Sequence, residues 1–119
     1  MRTILLSISF VFSALTAQAA ELIMIEEPGC KWCQRWMSEI GPIYPKSAEG
    51  QFAPLRLVDI KQTDAASVEF ARTLSFTPTF VLVEDGKEVA RMEGYPGEDF
   101  FWGLLDMMLT QKTSYKGGS

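Results

Sequence analysis

The tightest constraint on this chain is the segment Cys30-Lys31-Trp32-Cys33, because the sequence changes its hydrophobic period on either side of it. Upstream, Glu21-Leu22-Ile23-Met24-Ile25-Glu26 is a short apolar run with acidic ends, the pattern of a buried strand. Downstream, Cys33, Trp36, Met37 and Ile40 recur at i, i+3, i+4 and i+7, while Gln34, Arg35, Ser38 and Glu39 fill the opposite face. Gly41-Pro42 then ends that helix. The two cysteines therefore stand where a strand gives way to a helix.

The rest of the chain reads in the same way. Tyr44 to Pro54 carries Pro45, Gly50 and Pro54 and is expected to be a loop or an irregular helix, followed by a strand over Leu55 to Ile60. Asp64 is positioned to cap a second helix with Val68, Ala71 and Leu74 on one side. Phe80 to Val83 and Glu88 to Met92 read as strands joined through Glu84-Asp85-Gly86-Lys87, and Asp-Gly is a strong hairpin signal. Gly94-Tyr95-Pro96-Gly97 is a turn, after which Phe100, Phe101, Leu104, Leu105, Met108 and Leu109 mark one face of a last helix. The order β-α-β-α-β-β-α implies an α/β domain, a mixed four-stranded sheet with helices able to cover both faces.

Of the 119 residues, 1–19 read as an export signal. Arg2 supplies the positive start, Ile4 to Leu15 the apolar stretch, and Ala17-Gln18-Ala19 a cleavage site of the A-x-A type. As a helix that apolar stretch would span roughly 18 Å, short of a hydrocarbon core of about 30 Å, so a membrane anchor is the weaker reading. One domain over residues 20–113 is expected, with 114–119 as a frayed tail. Losing Arg2 leaves 10 basic against 15 acidic residues, a formal charge of −5, and no basic surface for a nucleic acid.

An exported chain can use two cysteines as a structural staple, but this pair would close a loop too short to restrict the unfolded chain much. The spacing is better explained by redox chemistry. At a helix N-terminus Cys30 meets unpaired N–H groups and the positive end of the macrodipole, which favour a thiolate and make it the candidate nucleophile. Cys33, one turn further in and facing the core, is the candidate resolving thiol. Lys31 is either an electrostatic aid to Cys30 or simply solvated; Trp32 either packs on its own helix or touches partner proteins. Structural zinc needs four nitrogen or sulfur ligands, and the chain has no histidine and no further cysteine. Copper(I) on two thiolates, in a binding or sensing module without turnover, is the alternative from another class. Thr77-Pro78 precedes a strand, where a proline disturbs pairing; together with the cysteine motif it is expected to be cis.

This arrangement resembles the thioredoxin superfamily in a minimal form, with no strand and helix between the leader and Glu21. The resemblance implies a cis Pro78 lying against the cysteines and Thr77 pairing its backbone with an extended client; with Lys31 and Trp32 they make up the candidate client-binding set, and no cofactor is expected. Two departures stand out. The usual Gly-Pro between the cysteines is absent, and Met24 occupies the place of a buried aspartate six residues before Cys30, which leaves Glu26, Glu27 or water to handle the proton of Cys33.

Glu27 to Trp36, followed by Ile40-Gly41-Pro42-Ile43-Tyr44-Pro45-Lys46, is similar to the periplasmic thioredoxin-like SoxS proteins of bacterial sulfur-oxidation clusters. That likeness implies a periplasmic reductase, with a sulfur-oxidation carrier protein as client and a membrane thiol transporter as electron donor; a monomer is the default expectation. A reductant for cytochrome c maturation or another exported client is the alternative enzyme.

Overall fold

Alternation along Glu21–Glu26 (β1) sends Leu22 and Met24 to one face of a sheet and Ile23 and Ile25 to the other, and all four are buried. That is the signature of a central strand covered on both sides. β1 pairs in parallel with Leu55–Asp59 (β2) and antiparallel with Thr79–Glu84 (β3), which pairs antiparallel with Lys87–Glu93 (β4), giving the order β2-β1-β3-β4. The expected mixed four-stranded sheet is present. Asp85 and Gly86 take positive φ of 53° and 76°, the two left-handed positions that a tight hairpin needs. The computed structural model describes residues 3–11 and 20–117; residues 3–11 have no secondary structure, and the expected cleavage site at Ala17-Gln18-Ala19 lies outside the described residues. Among the described residues no helix is long and apolar enough to cross a membrane.

Helices Lys31–Glu39 (α1) and Glu98–Lys112 (α3) lie on the same face of the sheet. Trp36 and Ile40 from the α1 region meet Phe101, Leu105 and Leu109 of α3 over Leu22, Met24, Phe80 and Leu82. Three expected core positions turn out otherwise. Met37 of α1 is partly exposed, and Phe100 and Leu104 of α3 face outward, because α3 rests on the sheet through the narrower stripe Phe101, Leu105 and Leu109.

The other face is covered by a 3-10 helix and extended chain, and the α-helix expected to follow Asp64, with Val68, Ala71 and Leu74 on one side, is absent. Asp59 caps a 3-10 segment over Ile60–Ala66 by accepting from the Lys61 N–H at 2.8 Å, and Ser67 ends it in the left-handed region at φ 56°. Beyond it the chain is extended: the Glu69 N–H donates to the Gly86 carbonyl at 2.8 Å, and the Glu88 N–H to that of Glu69 at 3.0 Å. Val68 and Phe70 thus turn inward with a period of two, joining Leu74 under Ile23, Ile25, Val81 and Val83, while Ala71 is exposed. Long-range pairing with β4 overrides the local helical spacing of Val68, Ala71 and Leu74.

Between α1 and β2 the irregular region expected over Tyr44 to Pro54 folds as a 3-10 turn, Tyr44–Lys46, and a short helix, Ala48–Phe52 (α2). The Tyr44 hydroxyl donates to the Ala53 carbonyl at 2.6 Å, and burial raises its pKa. Gly50 is buried where a Cβ would run into the Tyr44 backbone carbonyl. We therefore expect Gly50→Ala to destabilise by about 1–3 kcal/mol in urea unfolding, against the gain of about 1 kcal/mol that alanine brings to an open helix site. Unchanged or higher stability would mean that the contact yields. Within the segment expected as a tail, Tyr115 is buried with its ring centroid 5.1 Å from that of Phe52.

Candidate active site

Glu27-Pro28-Gly29-Cys30 makes the turn from β1 into α1. Proline suits its second position, and Gly29, at φ 81°, supplies the positive φ of the third. The Cys30 N–H closes the turn onto the Glu27 carbonyl at 3.3 Å. Cys30 is then the N-cap of α1, and its sulfur accepts the Cys33 N–H at 3.1 Å. One of the orphan donors of the helix start is therefore aimed at this sulfur, an arrangement that favours negative charge there. Cys30 and Cys33 are joined as a disulfide with Cα atoms 5.2 Å apart; Cys30 is half-buried, whereas Cys33 is only 4% exposed.

Strand register brings the second motif to the first. Ile25 pairs with Thr79, so the end of β1 that leads to Cys30 lies beside the start of β3 that follows Pro78. The Thr77–Pro78 peptide is cis, Pro78 is buried, and its carbonyl accepts the Gly94 N–H at 2.7 Å. The Thr77 hydroxyl donates to Glu27 Oε1 at 2.9 Å, a side-chain tie between the two loops across 50 positions of sequence.

Trp32 is 54% exposed, and the Arg35 guanidinium lies 5.4 Å from its ring centroid. Arg35 donates to Glu39 at 2.6 Å, and the Tyr95 hydroxyl donates to the same carboxylate at 3.2 Å. Burial and that bond to Glu39 push the Tyr95 pKa up to about 12. Trp32 therefore packs along its own helix and still presents a free ring face. Lys31 is exposed, with no ion pair among the described residues.

Sequence reasoning missed Phe76, which is 60% exposed and forms a groove with Thr77, Glu93 and Gly94. Its place beside Thr77-Pro78 was the available signal. On another side of the disulfide a cleft of about 600 Å³ is lined by Cys30, Cys33, Glu26, Glu27, Met37 and Asp59, among others. Met37 and Asp59 had no signal, since a helical apolar stripe and a strand-end carboxylate both read as structural. Among the described residues no three His, Cys, Asp or Glu side chains gather as a metal set.

A family model described as a thioredoxin-like domain matches residues 13–109. Thioredoxin from Fasciola hepatica superposes with a TM-score of 0.56 at 23% identity, over 76% of this chain and 81% of that chain. Thioredoxin from Malassezia sympodialis does so with a TM-score of 0.53 at 16% identity, over 76% and 75%. Both likenesses carry the fold. No curated protein matches the chain. Fold and cysteine pair together define a thiol-disulfide oxidoreductase built on the thioredoxin fold. A nearer likeness is the periplasmic thioredoxin SoxS from Paracoccus pantotrophus, solved in its reduced form, at 46% identity and a TM-score of 0.75 over 77% of this chain and 97% of that one. The chain belongs to the thioredoxin superfamily, in its SoxS-like family.

Proposed function

We propose that this protein is an exported reductase of disulfides in periplasmic clients, with Cys30 as nucleophile and Cys33 as resolving thiol. The observation that carries the assignment of roles is the cap geometry. Cys30 is the more exposed sulfur and receives the Cys33 N–H at 3.1 Å, while Cys33 is buried behind it. In the dithiol state the Cys30 thiolate attacks one sulfur of a client disulfide, and the client's other sulfur leaves as thiolate. Cys33, once deprotonated, attacks the Cys30 sulfur of the mixed disulfide. The second client sulfur then leaves with the electron pair, and the Cys30–Cys33 disulfide closes. Two electrons have passed to the client. A donor dithiol, for which a membrane thiol transporter is the expected source, returns them.

An extended client strand would lie along Thr77 and Pro78, with Trp32 and Phe76 as apolar flanks and Lys31 at the rim. Support for a client of the sulfur-oxidation type and for periplasmic placement comes from the 46% identity to a periplasmic SoxS thioredoxin, and removal of residues 1–19 rests on the leader pattern ending in Ala17-Gln18-Ala19. In cell extracts, Cys33→Ser is expected to hold its client on Cys30 as a mixed disulfide that dithiothreitol releases. The reduction potential of the pair should lie at or below about −220 mV. A value near −120 mV would reverse the direction of electron flow, and a client other than a sulfur carrier on the trap would redirect the pathway.

A further inference from the structure

Cys33 has to lose a proton before it can attack, and its surroundings restrict where that proton can go. On the core side it meets the cluster that includes Met24, Trp36, Phe80 and Phe101, which offers no carboxylate. A buried thiolate is costly without exchange with a polar group. Although only 4% exposed, Cys33 lines the cleft of about 600 Å³, which is large enough for several waters. Three carboxylates line the same cleft, and no lysine or arginine does. Glu27 is held by the Thr77 hydroxyl at 2.9 Å, and Asp59 by the Lys61 N–H at 2.8 Å. The Glu26 carboxylate has no hydrogen bond or ion pair among the described residues. The register pairs Glu26 with Asp59 on neighbouring parallel strands, so both side chains leave the same face of the sheet.

We propose that Glu26 is the proton-exchanging group for Cys33, acting through water in this cleft. This rests on the assignment of Cys33 as the resolving thiol. As resolution begins, the Cys33 S–H proton passes through water to the Glu26 carboxylate. The thiolate attacks the Cys30 sulfur, the bond from Cys30 to the client breaks, and the client leaves as thiolate. When a donor reduces the disulfide, Cys33 leaves as thiolate and recovers its proton from the Glu26 carboxylic acid. The charged and titratable groups facing Glu26 are Asp59 from β2, Glu27 from the turn and the two cysteines.

The test uses the full mature chain, reduced and mixed with dithiobis(nitrobenzoate) in a stopped-flow instrument. The first nitrothiobenzoate released reports attack by Cys30, and the second reports resolution by Cys33. Glu26→Gln is expected to leave the first phase and the unfolding temperature at wild-type values and to slow the second phase at pH 7 by about 10²-fold. The deficit should close toward pH 10, where hydroxide removes the thiol proton directly, and Glu26→Asp should recover most of the rate. Three results would overturn the proposal: a wild-type second phase in Glu26→Gln, slowing that persists unchanged to pH 10, or slowing by Asp59→Asn alone. If wild type itself shows no second phase, the role given to Cys33 fails, which is a separate outcome.

Discussion

Arg91→Met is expected to lower stability by about 3–5 kcal/mol and to free residues 69–73 from β4. The Arg91 and Glu88 side chains are each only 3% exposed. Arg91 donates from Nε and Nη2 to the two Glu88 oxygens, both at 2.6 Å, and from Nη1 and Nη2 to the carbonyls of Thr73 and Arg72, both at 3.0 Å. Glu88 in turn accepts the Ala71 N–H at 3.0 Å. Without the guanidinium, a buried carboxylate loses its counter-ion and two carbonyls lose their donor. That is the expensive way to break a buried pair. Urea unfolding measures the loss, and hydrogen exchange at Ala71 should reach the rate of an open strand. A loss below about 1 kcal/mol would show the network to be ornamental to stability.

The same pair sets an acid dependence. Burial by itself would raise the Glu88 pKa, but hydrogen bonds from Arg91 and the Ala71 N–H outweigh it and hold the group below its ordinary value of 4.5. A depressed folded pKa means that the unfolded chain binds the proton more readily. The contribution is therefore fully present above about pH 4.5 and is lost as pH falls through the lower folded value.

Trp36→Ala is expected to cost a similar 3–5 kcal/mol, for an unrelated reason. Trp36 has no exposure, and its ring centroid lies 5.2 Å from that of Phe80, 5.5 Å from that of Phe101 and 6.0 Å from that of Tyr44. It is the point where α1 meets the sheet and α3, so truncation leaves a cavity under the active-site helix. Trp36→Phe should cost far less, about 1–2 kcal/mol, because the buried Trp36 Nε1 has no hydrogen-bond partner among the described residues and the smaller ring removes that unpaired donor. Comparing the two urea midpoints separates lost volume from lost polarity. Equal costs for the two variants would contradict this account.

Sequence pattern was reliable wherever one segment meets its core alone. The apolar β1 with its acidic ends and the Asp85-Gly86 hairpin each follow from local rules, and both appear in the fold. The pattern failed where two readings fit the same residues. Val68, Phe70, Ala71 and Leu74 satisfy a helix at spacing three or an extended segment at spacing two, and the backbone pairing of Glu69 with Gly86 and Glu88, together with the Glu88–Arg91 network seventeen to nineteen residues away, selects the second. Phe100-Phe101 and Leu104-Leu105 likewise offer two adjacent stripes, and docking of α3 on the sheet chose one.

By itself, then, the sequence determined the redox pair, its unequal placement at a helix start and the strand that leads to it, because capping and periodicity act within a few residues. Tertiary structure decided what surrounds that pair. Register of β1 against β3 and β2 brings Thr77-Pro78 to one side of the pair and Asp59 to the strand end beside Glu26. Such contacts join residues tens of positions apart, and their energy depends on burial and pairing geometry that no local window contains.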